Sequence, residues 1–133
     1  MGTEVTMILR LLLAAALGAI IGFQRERAKK PAGLRTHILI SLGSCLFTVV
    51  SLYGFGADIA RVAAGVVTGI GFLGAGAIIR GGEGGAIAGL TTAASIWSMA
   101  GIGLAVGAGF YIAAVAATVL VLLILLIPHH LVR

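Results

Sequence analysis

Apolar residues run along this chain in long blocks, interrupted by short polar breaks and nowhere alternating with the period of two that a strand would need. Five blocks can be marked, approximately 5–23, 36–53, 62–79, 86–106 and 108–127. Each has about the 18–21 residues that a helix needs to cross roughly 30 Å of hydrocarbon. The pattern predicts an all-α, polytopic helical membrane bundle of about five transmembrane helices, forming a single transmembrane domain over residues 1–133. Between the last two blocks, Gly101, Gly103, Gly107 and Gly109 predict a tight turn. One continuous helix from Ala86 would far exceed one membrane thickness.

Composition strengthens this reading. Of 133 residues, 60% are hydrophobic and only 10% charged, whereas soluble domains carry about 25% charged residues. A soluble fold would lack polar residues for its surface. The first block is expected to be a retained span and not a signal peptide: Glu4 precedes it, and Arg25, Arg27, Lys29 and Lys30 follow it, which reverses a signal peptide's charge order. The net charge of +5 reflects basic residues placed between spans, not a folded basic face with interleaved aromatics, so no nucleic-acid partner is expected. With five spans, the first loop, Arg80 and Arg133 share one side, while Arg10 and Arg61 share the other. The positive-inside rule then puts the N-terminus outside and the C-terminus in the cytoplasm of a bacterial inner membrane.

The blocks are rich in small residues. Ala14, Gly18 and Gly22 form one small-xxx-small row, and Gly65 and Gly69 begin another, joined by Gly71, Gly74 and Gly76. Small rows let helix backbones approach closely, the main route to helix association in lipid. Glycine on several faces of the third block predicts that this helix lies at the centre. Gly69-x-Gly71-x-x-Gly74 also matches a dinucleotide fingerprint, but it follows no strand and has no acidic residue about 20 positions on. The nucleotide reading fails there.

Polar residues inside the blocks are few and ordered. His37, Ser41, Ser44, Thr48 and Ser51 fall on one helical face of the second block. A shorter row of Thr91, Ser95 and Ser98, with Thr92 beside it, lies on the fourth. Together they describe either a polar path between two helices or a set of hydroxyls bonded to backbone and to each other. The acids Glu4, Glu26, Asp58 and Glu83 all fall at block ends or in loops. A mid-membrane Mg²⁺ site would therefore have no carboxylate to use, and one cysteine, Cys45, cannot make an intrachain disulfide. No metal site, no catalytic constellation and no cofactor is expected. On the cytoplasmic side, Glu26, Arg27, Arg35, Thr36, His37, Arg80, Thr91 and Thr92 gather near two helix N-termini, a vestibule suited to an anion or to anionic lipid headgroups.

The ordered motifs Arg10-Leu-Leu-Leu-Ala-Ala-Ala-Leu-Gly18, Arg25-Glu26-Arg27, Pro31-Ala-Gly-Leu-Arg-Thr-His37, Gly69-Ile-Gly-Phe-Leu-Gly-Ala-Gly76, Gly89-Leu-Thr-Thr-Ala-Ala94 and Trp97 resemble the MgtC/SapB family of bacterial inner-membrane proteins. Gln24 departs from that resemblance, since the family usually carries an acid there, and a glutamine usual near Gly65 is missing too. The resemblance implies a non-enzymatic regulator or binding protein linked to magnesium limitation, acid stress or survival in host cells. Its namesake resembles a regulator that binds other membrane proteins. Many members continue into a cytoplasmic domain, so a short or truncated member is expected. The partners expected are the bilayer, anionic lipid, other membrane proteins and a second copy in a homodimer. The alternative is a small-solute or ion transporter using the polar face of the second span. No Gly-x-x-x-x-Gly-Lys-Ser/Thr loop is present, so ATP hydrolysis has no site.

Overall fold

A computed structural model describes residues 2–55, 59–81 and 89–128. Asp58, Glu83, His129, His130 and the side chain of Arg80 lie outside the described residues. Five α-helices follow one another: α1 Gly2–Arg27, α2 Leu34–Val50, α3 Ile59–Gly81, α4 Leu90–Gly107 and α5 Tyr111–Leu125. A π-helical turn, Ser51–Phe55, extends α2. With that extension, the first four helices are long and apolar enough to cross a membrane, while α5 is shorter.

The helices stop where backbone chemistry lets them. After α4, Phe110 N–H donates to Ala105 O at 2.8 Å and Gly109 N–H to Val106 O at 3.0 Å. This pair of bonds is the Schellman arrangement, which needs a left-handed residue just past the helix. Gly109 supplies it at φ 88°, so the turn expected between the last two blocks is present. The same arrangement ends α1, where Lys30 donates to Arg25 O and Lys29 to Glu26 O. There the left-handed residue is Lys29 at φ 60°, and Pro31 two residues later prevents the helix from resuming.

The expected centre is displaced. α4, not α3, packs against all four other helices, and α2 packs along both α1 and α4. A methyl group placed on Gly18 would lie 2.7 Å from His37 O, and one on Gly22 would lie 2.8 Å from Leu34 Cα. On the opposite side, a methyl on Gly107 would lie 2.7 Å from Thr48 Cβ, and one on Gly103 would run into Ser41 O. The α2 backbone is thus clamped between a small-residue row of α1 (Ala14, Gly18, Gly22) and a second row of α4 (Gly103, Gly107). By contrast, methyls on Gly65, Gly69, Gly71 or Gly76 would meet nothing within 4 Å. α3 lies against α4 at the edge of this chain, and Phe72 and Leu73 point outward from it. Glycine content does not locate a centre. What matters is whether the glycines face a neighbouring backbone.

Between the clamped backbones lies a compact apolar core that includes Leu17, Ile21, Ile40, Val49, Ile96, Met99 and Val106. The outward apolar side chains of every helix, among them Leu12, Leu39, Phe47, Trp97 and Leu120, are what a lipid-facing surface requires.

Candidate functional site

The polar groups of the bundle collect along the seam between α2 and α4 and at the end where α1 finishes. Glu26 fixes this end: its Oε1 accepts the Leu34 N–H at 2.9 Å, capping a helix whose N-cap, Gly33, has no side chain to do so. The same carboxylate packs directly against Gly33. The loop from α1 to α2 is therefore closed by one residue of the Arg25-Glu26-Arg27 motif.

Another residue of that motif turns inward. Arg25 is 3% exposed, and its Nη2 donates to Thr92 Oγ1 at 2.6 Å. Thr92 is in the first turn of α4, which Gly89 leaves without a side-chain cap. One turn on, Ser95 Oγ lies 2.8 Å from Thr92 O and 3.0 Å from His37 Nε2. On the far side of the imidazole, Nδ1 lies 2.9 Å from Gly33 O. A carbonyl only accepts, so Nδ1 carries a hydrogen. In the neutral ring Nε2 then accepts the Ser95 hydroxyl, and in the imidazolium it donates while Ser95 turns to Thr92 O. His37 is completely buried, and it ties α2 to α4 in either state.

Deeper in the seam, Ser44 Oγ donates to Ala100 O across the helix pair at 2.6 Å. Thr48 Oγ1 returns to Ser44 O on its own helix at 2.8 Å. The whole row from His37 through Ser41, Ser44 and Thr48 to Ser51 is buried, as its spacing on one helical face predicts. The hydroxyls of Ser41 and Ser51 are buried without an acceptor. The α4 row divides: Thr92 and Ser95 enter the seam, Thr91 is exposed, and Ser98 is half-buried beside Val66 and Ile70 of α3.

The expected cytoplasmic cluster divides likewise. Glu26, Arg27, Arg35 and Thr36 are exposed at this end, while His37 and Thr92 lie inside. Arg27 lies over the Phe23 ring at 5.6 Å. Sequence reasoning missed Arg25 as an inward group, although helical spacing gave the signal. Gly18, Gly22 and Arg25 follow at intervals of four and three, so Arg25 continues the face on which α2 packs. Gln24, beside it, donates weakly to Leu125 O at 3.5 Å, and its Oε1 is buried without a donor.

Two other features complete the description. At the opposite end, Arg10 of α1 donates from Nε to Tyr111 Oη at 2.7 Å and from Nη1 to Gly107 O at 2.9 Å. It also faces the rings of Tyr53 and Tyr111, each at 5.7 Å. Between α2 and α3 runs an apolar groove of about 540 Å³, lined in part by Leu39, Phe47, Val62, Gly65, Gly69 and Leu73. Among the described residues, no group of three or more His, Cys, Asp or Glu side chains comes together to hold a metal ion.

Comparison with known proteins points one way. The MgtC family pattern matches residues 11–133. YhiD of Escherichia coli K12, named provisionally as a magnesium transporter, is 47% identical over 133 residues, covering 93% of this chain and 61% of YhiD. SapB of Bacillus subtilis is 42% identical, covering 88% of this chain and 54% of its own length. MgtC of Salmonella typhimurium LT2 is 46% identical, covering 86% of this chain and 49% of its own length. The chain thus spans between 49% and 61% of the length of these relatives. No solved structure matches it.

Proposed function

The chain belongs to the MgtC family, and from that premise we propose that it is a non-enzymatic inner-membrane protein that acts by binding and regulation during magnesium limitation. The observation that carries this reading is the α2–α4 seam. A solute path needs polar groups facing a water-filled or exchangeable space. Here His37, Ser44, Thr48 and Ser95 spend their hydrogen bonds on backbone and on one another, and Gly103 and Gly107 bring the two backbones into contact. The groove of about 540 Å³ between α2 and α3 touches the seam only at Ser44 and Ala100, where the Ser44 hydroxyl is already committed to Ala100 O, and the rest of its lining is apolar or glycine. Charge distribution supports an external N-terminus and a cytoplasmic C-terminus, which would put Arg25, Glu26 and the α4 N-terminus on the cytoplasmic side. Proposed partners are anionic lipid at that side, other membrane proteins and a second copy of the chain.

The name of YhiD favours a second reading, transport of magnesium, and one experiment separates the two. Protein reconstituted in sealed liposomes loaded with a Mg²⁺-sensitive dye should pass Mg²⁺ no faster than empty liposomes. Protein-dependent entry that falls when Ser44→Ala and Thr48→Val are combined would establish the transport reading instead.

A further inference from the structure

Arg25 is left incomplete by the bundle that buries it. Its guanidinium stays charged under all ordinary conditions, and it is 3% exposed. Among the described residues its one polar partner is the Thr92 hydroxyl. Its Nε is buried without an acceptor, and no described carboxylate acts on it. The nearest acid in sequence, Glu26, is directed to the Leu34 N–H. A buried cation without a counter-charge is strongly unfavourable, and the position adds to the difficulty. Thr92 belongs to the first turn of α4, the positive end of an 18-residue helix with no side-chain cap. A guanidinium held against a helix N-terminus is a pairing of like signs, unless an anion sits between them.

We propose that Arg25 and the first turn of α4 form a site for a phosphate group. The unpartnered Nε–H belongs to the same guanidinium whose Nη2 meets Thr92, in the first turn of a helix that has no side-chain cap. A planar guanidinium fork and helix N–H groups are the two donor types that recognise phosphate oxygens most directly. Thr92 fixes the guanidinium by accepting from Nη2, leaving the Nε–H for the ligand. Arg27 and Arg35, exposed at the same end, raise the local concentration of anions without entering the site. The phosphate comes either from the headgroup of a phosphatidic-acid-like lipid or from inorganic phosphate. The proposal is separable from the regulatory reading, because phosphate can bind whether or not Mg²⁺ crosses.

The test uses the whole chain in nanodiscs of phosphatidylcholine. Thermal unfolding is followed while inorganic phosphate is titrated, and separately with phosphatidic acid added to the discs. Saturable stabilisation by the first assigns free phosphate, and by the second alone assigns the lipid headgroup. In either case Arg25→Lys, which keeps the charge but loses the planar fork, should weaken apparent affinity about tenfold. If that variant does not fold, Thr92→Val, which keeps the guanidinium and removes the hydroxyl that orients it, should weaken affinity several-fold. The exposed double variant Arg27→Gln/Arg35→Gln should keep saturable binding. The proposal is overturned if neither source stabilises the protein. It is equally overturned if Arg27→Gln/Arg35→Gln abolishes binding while Arg25→Lys leaves it unchanged. Binding that appears only after Glu83→Gln would show that an internal carboxylate occupies the site, and would also overturn it.

Discussion

Gly103→Leu is expected to unfold the bundle, and Gly65→Leu to leave it folded. The two glycines look alike in sequence, each in an apolar helix and each four residues from another glycine. Their surroundings differ. A side chain at Gly103 meets the Ser41 backbone, with its Cα at 3.0 Å from even a methyl group, whereas one at Gly65 meets nothing within 4 Å. Backbone cannot move aside as a flexible side-chain tip can. Overpacking a well-filled site costs about 1–3 kcal/mol, and a leucine forced between two helix backbones should fall at or above the top of that range. Such a change separates α2 from α4 and breaks the Ser44 and His37 bonds with it. Gly65→Leu, on a surface that already faces outward, should stay within about 0.5 kcal/mol. Unfolding by sodium dodecyl sulfate in mixed micelles, with helicity as the readout, compares the two directly.

The second large effect is expected at the other end of the bundle, from Arg10→Met. Arg10 ties the first helix to the turn between the last two through Tyr111 Oη and Gly107 O, and it rests between the Tyr53 and Tyr111 rings. The Gly107 carbonyl is in the last turn of α4, where a cation also favours the negative end of the helix dipole. Hydrogen bonds from a charged donor contribute about 1.5–3 kcal/mol each, and cation–π contact adds about 0.5–1 kcal/mol at a partly exposed site. Allowing for solvent at this half-buried position and for the lack of additivity, a loss of about 3 kcal/mol is expected. Arg10→Lys should recover only part of it, since a single ammonium cannot reproduce the two-point contact. The same mixed-micelle titration measures both variants. A methionine variant as stable as the parent would mean that the clamp contributes nothing.

The sequence was most informative where one helix is enough to make the argument. Five apolar helices, four of them long enough to cross a membrane, the turn at Gly109 and the polar face from His37 to Ser51 all depend on local period and length, and all are present among the described residues. It was least informative where the meaning of a residue depends on what stands opposite. Gly65 and Gly69 have the same spacing as Gly103 and Gly107, yet only the second pair meets a backbone, because α3 lies at the edge. Arg10 looked like one of the few basic residues on the outer side; its partners, 97 and 101 residues away, are invisible to any local window. Arg25 was grouped with its basic neighbours when the signal that separates it was already present, as the continuation of the Gly18–Gly22 face. Among the anion-vestibule residues, the spacing of its row already separates His37 from Thr36, whereas Thr92 could be told from Thr91 only by knowing which way α4 is rotated about its axis.

A sealed α2–α4 seam is the central claim, and the protein carries its own probe for it. Cys45, the single cysteine, lies on α2 between Ser44 and Thr48 in sequence and is fully buried. A small water-soluble methanethiosulfonate reagent applied to intact membrane vesicles reports whether water reaches it. A Thr36→Cys variant, at an exposed position, provides the reactive reference. The sealed seam predicts that the parent protein stays unlabelled until detergent denaturation exposes the thiol, while the Thr36→Cys protein is labelled at once. Labelling of Cys45 in native membrane at the rate of the exposed reference would contradict the seam and return the polar row to the role of a path.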